Sequence, residues 1–156
     1  MENKEKVDFI LYQMKLVLLR QDFVRLQILS KKISKKAINE AGLEAQKVLY
    51  YKFLVRYYIQ EKDLLNTSKA YQTIYDTFNK AQADQDLIFK IDPTGSERKS
   101  SFQNFVLYLL VSPYTNEKVD LLNIVEAMYP RELEQEGIIS KLVRKLLTFE
   151  LMPLNE

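Results

Sequence analysis

Apolar residues recur every three or four positions along almost all of this 156-residue chain, which is the spacing of an amphipathic helix. Val7, Ile10, Leu11 and Met14 show the pattern first. The chain has only three Gly and four Pro, which favours long helices over a fold built from many turns. No segment alternates with period two over a useful length. We therefore expect an all-α fold without strands.

Turn and cap residues divide this pattern into seven predicted helices. Asp22 and Asp63 are expected N-caps, and Pro113 and Pro130 each end a helix. The helices are expected at about residues 7–18, 22–33, 39–58, 63–75, 96–112, 115–128 and 131–146, with Ser96 or Ser100 capping the fifth. The residues expected on the buried side of the third helix are Leu43, Gln46, Leu49, Tyr50, Phe53, Leu54 and Tyr57. The apolar residues at helical spacing are Val119, Leu122, Val125 and Met128 in the sixth helix and Ile138, Ile139, Leu142, Val143 and Leu146 in the seventh.

The segment Asn79–Lys99 interrupts the helical pattern. It contains Asp84, Asp86 and Asp92, followed by the turn Pro93-Thr94-Gly95-Ser96. The acidic residues suggest a site for a hard cation, but an EF-hand's third ligand, its Gly and its closing Glu are missing. A solvated acidic connection is the preferred interpretation. We expect the longest inter-helix connection here, with a short helix near residues 87–91 and the first cut in limited proteolysis.

A weak internal repeat suggests how the helices are arranged. The turn before Asp22 resembles the turn before Asp63, about 41 positions later, and Ile33 and Ile74 keep the same offset. Each unit reads as helix, short turn, helix, and one such pair cannot cover its own apolar face. We therefore predict a right-handed α-solenoid of TPR-like or HEAT-like helix pairs. Residues 1–156 are expected to form one domain.

The absence of Cys and His restricts the chemistry of the chain. Without them it can form no structural zinc site of the usual kind and no Ser-His-Asp or Cys-His catalytic set. We expect no enzyme activity and no cofactor. The net charge of +2 gives no indication of a nucleic-acid partner. The longest apolar run, Phe105–Ser112, is too short to span a bilayer, so no membrane association is expected.

Two groups of residues are candidates for contacts with partners. Lys31, Lys32, Lys35 and Lys36 form a basic cluster that could face an acidic partner or act as a nuclear signal. The alternative is a solvated last helical turn whose lysines complement the helix dipole. Tyrosines at helical spacing are either a base-stacking surface or packing residues, and packing is preferred; they are Tyr50, Tyr51, Tyr57, Tyr58, Tyr71 and Tyr75. The residues predicted to pack inside the helix stack are Tyr75, Phe105, Tyr114 and Leu151.

Five short strings occur in a fixed order and together carry a family resemblance. They are Phe9–Met14, Ile28–Ile33, Ile74–Thr77, Leu107–Glu117 and Glu150–Met152. In order and spacing they resemble the PCI-type lid subunits of the proteasome regulatory particle, the family of non-ATPase regulatory subunit 12. One departure is that Pro153-Leu154 follows Met152, where the family normally continues with a basic residue and Trp.

The resemblance implies a non-catalytic scaffold. In that family a TPR-like solenoid leads into a C-terminal winged-helix PCI module, which is absent here, so the chain looks like a central fragment. The implied partners are other lid subunits and the core particle, in the cytoplasm and nucleus. The isolated fragment is expected to be monomeric or weakly self-associating.

Related scaffolds exist in the COP9 signalosome and the translation initiation machinery, and fold alone does not separate them. A free-standing TPR-like peptide-binding adaptor is a further alternative. An open concave groove carrying Asn, Lys or Arg would favour the adaptor. A groove filled by the chain's own side chains would favour the scaffold.

Overall fold

The computed structural model describes residues 3–40, 42–81, 85–86, 94–113, 115–135 and 137–147. Within these ranges the chain is helical and contains no strand, which confirms the all-α expectation. The helices are α1 (Asn3–Leu19), α2 (Phe23–Ser30), α3 (Lys35–Ile38), α4 (Glu44–Gln60), α5 (Leu64–Ala81), α6 (Ser96–Val111), α7 (Asn116–Met128), α8 (Pro130–Gln135) and α9 (Gly137–Leu147). Successive helices pack against each other, so the chain is an α-solenoid of stacked pairs.

The predicted repeat corresponds to two turns of the same geometry. Gln21 and Lys62 each have a φ of 58°, a left-handed conformation that is uncommon outside Gly. The amides of Asp22 and Asp63 each reach back to a carbonyl five residues earlier, at 2.9 Å, as in a Schellman motif. Each Asp carboxylate then accepts the amide three residues ahead, at 3.1 and 3.2 Å. The predicted N-caps are confirmed.

Three groups of buried side chains hold the stack together. The first joins α1, α2, α3 and α4 around Met14 and Leu26. The second lies between α4 and α5 around Phe78. The third joins α5 to the last four helices around Phe105 and Leu122. Helix α4 contributes to the first two groups, so it is apolar on two sides and has no single buried face.

The prediction for the third helix, which is α4 in the structure, was wrong about its first residue and about part of its buried face. Helix α4 begins at Glu44 and not near Asn39, because Gly42 adopts a φ of 89° and breaks the chain away from the separate short helix α3. Leu43, Phe53 and Leu54 are buried as expected, but Leu49 is exposed. Val48 and Val55 are buried instead, since they point toward α5 on the second packed side of α4.

The last two predicted helices also needed correction. The predicted seventh helix is two helices, α8 and α9, and Pro130 begins α8 as well as following the end of α7. Met128 is 66% exposed and Ile138 is 77% exposed, so the apolar positions of these helices are not all buried. Leu142 is exposed as well. These positions keep helical spacing, but no described element packs over them.

The caps of α6 and α7 were predicted with mixed success. Gly95, with a φ of 70°, is the N-cap of α6, so neither Ser96 nor Ser100 is the N-cap as predicted. Thr115 caps α7 through its side chain, which accepts the Lys118 amide at 3.2 Å. Of the predicted connection 79–99, residues 79–81 belong to α5 and residues 96–99 belong to α6. The short helix expected near 87–91 lies outside the described residues.

Candidate interaction surfaces

An aromatic cluster joins the second helix pair to the third. Tyr75 of α5 is 2% exposed and Phe105 of α6 is fully buried. The rings of Tyr75 and Phe102 lie 5.2 Å apart, and the Tyr129 ring lies 5.5 Å from Tyr75 and 6.1 Å from Phe105. Edge-to-face and tilted aromatic pairs of this kind add to the stability gained from burial. This cluster fixes the angle between the two pairs.

Hydrogen bonds anchor the same joint. Ser68 donates through its hydroxyl to the Phe105 carbonyl at 2.9 Å, and the Tyr129 hydroxyl donates to Asp76. Burial, and then the bond to Asp76, raise the pKa of Tyr129. Burial likewise raises the pKa of Tyr75, whose hydroxyl has no well-aligned partner among the described residues, although Asn79 and Glu132 lie near it. Tyr114 and Leu151, the other two predicted packing residues, lie outside the described residues.

A long open trough runs along the first helices of three successive pairs, α1, α4 and α6. Its main cavity has a volume of about 640 Å³, and a smaller one of about 280 Å³ adjoins it at Lys15 and Leu49. The trough follows α4 from Gln46 to Ile59, roughly 20 Å at 1.5 Å per residue. Leu18, Leu19, Leu49, Phe53, Val55, Ile59 and Tyr71 supply its apolar lining. Among the described residues no side chain fills this groove, so the groove by itself does not favour the scaffold over the adaptor.

The charged side chains of this trough are mostly basic. Among the described residues, Lys15, Lys52 and Arg56 line the main cavity together with one acidic residue, Glu97, and Asp8 lines the adjoining smaller cavity. Lys52 Nζ lies 3.0 Å from Glu97 Oε1, which bridges α4 to α6. Within the described part of the chain neither Lys15 nor Arg56 forms an ion pair. Sequence analysis missed this surface, although Lys52 and Arg56 stand one helical turn apart beside Leu49 and Phe53.

The predicted lysine cluster lies at a different place on the molecule. Lys31, Lys32, Lys35 and Lys36 are all exposed. Helix α2 ends at Ser30, before any of them, and Ser34 caps α3 by accepting the Ala37 amide at 3.0 Å. Lys31 and Lys32 therefore lie in the link between α2 and α3, and the four lysines do not form one last helical turn. Lys35 and Lys36 stand at the start of α3.

A tyrosine-lined hollow lies beside this cluster. Its volume is about 610 Å³, and its lining includes Lys31, Lys35, Tyr50, Tyr57 and Tyr58. These rings are half-buried, and the Tyr50 hydroxyl donates to the Ser30 carbonyl at 3.1 Å. Burial, followed by the neighbouring Tyr51 and Tyr58, raises the pKa of Tyr50 to about 12. The hydroxyl therefore stays protonated and holds α4 against the end of α2.

Two further sequence interpretations concern metal binding and membranes. Asp84 and Asp92, the candidate cation ligands, lie outside the described residues, and Asp86 is exposed. Over the described ranges no three acidic, His or Cys side chains come together in an arrangement suited to a metal ion. A search of the same ranges finds no helix with the length and apolar content needed to cross a membrane.

Comparison with known proteins places these features in a family. A family model described as PSMD12/CSN4, N-terminal, matches residues 1–84. The 26S proteasome regulatory subunit rpn501 of Schizosaccharomyces pombe is 32% identical over 149 residues, covering 96% of this chain and 31% of that protein. The regulatory subunit RPN5 of Saccharomyces cerevisiae is 30% identical, with coverages of 97% and 31%. In Dictyostelium discoideum, 26S proteasome non-ATPase regulatory subunit 12 is 27% identical, with coverages of 83% and 27%.

The similarity to the two yeast proteins extends along nearly the whole chain, from the first helix pair to the last helices, although the chain spans only 31% of their length. The family model alone covers more than half of the chain. The chain belongs to the PSMD12/CSN4 family, and its residues 1–84 match the N-terminal region of that family.

Proposed function

We propose that this chain is a helical-repeat part of a proteasome regulatory-particle lid subunit and acts as a non-catalytic scaffold. The observation that carries the proposal is the match to proteins named as 26S proteasome regulatory subunits over 96–97% of the chain. In this role residues 1–156 form one solenoid domain that works in the cytoplasm and nucleus. Its partners are other lid subunits and the core particle, and it needs no cofactor.

The exposed side chains are consistent with a surface that other proteins cover. Helix α1 exposes Phe9, Tyr12 and Leu16, and α2 exposes Val24 and Ile28. Exposed apolar side chains that cluster in this way on a helical protein mark interaction sites. The four lysines that follow α2 and begin α3 are a second proposed contact surface, suited to acidic groups on a neighbouring subunit. Taken alone, the chain is proposed to be monomeric or weakly self-associating.

Affinity purification tests the proposal directly. The protein is tagged in its own cells, purified under native conditions and analysed by mass spectrometry. We expect stoichiometric recovery of proteasome lid subunits. Recovery of a signalosome or an initiation complex without proteasome subunits would keep the family but refute the function. Recovery of the protein alone would favour a free-standing adaptor.

A loss-of-function arm links the surface to assembly. Phe9→Ser combined with Leu16→Ser changes two exposed residues of α1, so the fold should survive while contacts are lost. We expect reduced co-purification of lid subunits. Asn123→Ala, at an exposed position of α7, serves as a control away from α1 and α2 and should leave recovery unchanged. Equal recovery with both variants would show that this surface is not used.

A further inference from the structure

We propose that the trough along α1, α4 and α6 binds an acidic amphipathic helix of a partner protein. The inference rests on the proposed scaffold function and adds to it the chemistry of one partner. Three observations support it: the dimensions of the trough, the arrangement of its apolar lining, and the sign of its charge.

The dimensions and lining fit a helix. The trough is about as long as a 14-residue helix, roughly 20 Å. Leu49 and Phe53 stand about one helical turn apart on α4, Ile59 lies six residues further along the same helix, and Leu19 of α1 also lines the trough. A helix laid in a groove uses apolar anchors at i, i+3 or i+4 and i+7. The cavity volume of about 640 Å³ accommodates such anchors while the polar side of the helix faces solvent.

The charge of the trough selects an acidic partner. Lys15 on α1 and Arg56 on α4 flank the apolar lining from two walls. The Lys52–Glu97 bridge at 3.0 Å demonstrates that a carboxylate already occupies one position in the trough. Glutamates on the partner helix would meet Lys15 and Arg56 in the same way, while a basic helix would place like charges together. Complementary charge fixes the partner's orientation and speeds association more than it adds affinity.

The binding test uses the full 156-residue chain and a synthetic probe. The probe is a fluorescein-labelled, 16-residue helical peptide with Leu at i, i+4, i+7 and i+11 and Glu beside each Leu. Fluorescence anisotropy at low salt should give a dissociation constant in the range of about tens of micromolar. A peptide with Lys in place of every Glu should bind at least about tenfold more weakly. A peptide with Ala in place of every Leu should not bind.

Variants of the chain locate the site. Lys15→Glu combined with Arg56→Glu should weaken probe binding by about tenfold or more at low salt. Lys32→Glu combined with Lys36→Glu makes the same change in net charge on the α2–α3 surface, and should alter binding by less than about twofold. Leu49→Ser combined with Ile59→Ser removes apolar anchors without changing charge, and should also weaken binding by about tenfold. Helix content by circular dichroism confirms that each variant is folded.

Several outcomes would overturn the proposal. If the charge reversals in the trough and on the α2–α3 surface weakened probe binding equally, the effect would come from the net charge of the chain and not from the trough. Equal binding of the Lys peptide, or of a Pro-containing peptide that cannot form a helix, would show that the occupant is not an acidic helix. No binding at a concentration about 100 times the expected dissociation constant would show that the trough does not bind such a helix.

A cross-link identifies the natural occupant. A photo-reactive residue at Leu49, in the natural full-length protein, should capture a segment of another protein that is acidic and helical. Capture of a second copy of this chain, of a basic segment or of nothing would refute the proposal. This failure is distinguishable from failure of the scaffold function, because co-purification of lid subunits is measured on the same sample.

Discussion

The strongest test of the fold concerns a lysine buried at the end of α6. Lys118 is only 4% exposed. Its Nζ donates to the carbonyls of Leu110 and Ser112, at 2.8 Å each. The last carbonyls of a helix have no partner within the helix, and Pro113 has no amide hydrogen with which to help satisfy them. The Lys118 side chain, which comes from α7, therefore supplies hydrogen bonds to the carbonyls at the C-terminus of α6.

Lys118→Met removes both donors but keeps the length of the side chain. Two hydrogen bonds from a charged donor are worth about 1.5–3 kcal/mol each, so the gross loss is about 3–6 kcal/mol. Burial lowers the pKa of the Lys118 amine, which shows that desolvation opposes its charge, and Met recovers part of that cost. We expect the free energy of unfolding to fall by about 2–4 kcal/mol.

Urea denaturation followed by circular dichroism at 222 nm measures the change. With an unchanged m value, the midpoint should fall by about 1–2 M. Lys69→Met is the matched control, because Lys69 forms an exposed ion pair with Glu117 at 3.0 Å and should cost less than about 1 kcal/mol. A loss of less than about 1 kcal/mol for Lys118→Met would refute the reasoning, since water would then satisfy both carbonyls.

Three further perturbations test other parts of the fold. Phe105→Ala should cost about 3–5 kcal/mol in urea denaturation because its ring is fully buried, while Phe9→Ala, at a position that is 57% exposed, should cost under about 1 kcal/mol; equal losses would contradict the assigned core. Asp22→Ala and Asp63→Ala should each cost about 1 kcal/mol as lost N-caps, and the Asn variants should restore most of that. The folded pKa of Tyr50 is raised to about 12, so its contribution to stability is complete below the ordinary tyrosine pKa of about 10 and is lost as pH rises toward 12; Tyr50→Phe should flatten this part of the pH–stability profile, and an unchanged slope would place the phenol in water.

Helix existence could be predicted from the sequence because it depends on local spacing and caps. Asp22, Asp63 and Thr115 all cap helices in the structure. Burial was harder to predict, because the same spacing is found on faces that remain uncovered, as at Met128 and Ile138. A periodic pattern reports that a face is apolar, and only the position of neighbouring helices decides whether it is packed.

The trough and the buried lysine lay beyond sequence reasoning for a related physical reason. The trough is formed by side chains of three helices that are distant in sequence, such as Lys15, Lys52 and Glu97. Lys118 follows an N-cap, where a lysine would ordinarily be solvated, and its burial depends on how α7 folds back on α6. The burial of Lys118 leaves no local signal, and the spacing of Lys52 and Arg56 on α4 reveals only one side of the trough.

The two turns at Gln21 and Lys62 have a consequence for how such a chain can change. Both have the same φ, the same backbone hydrogen bonds and an Asp that ends one motif and begins the next helix. The side chain at the left-handed position is not required by this geometry, which depends on the backbone and on the Asp. The same turn can therefore form between helices of different sequence. A segment bounded by two such turns could be duplicated or exchanged as a unit, and the direction of the helix that follows each turn would be preserved.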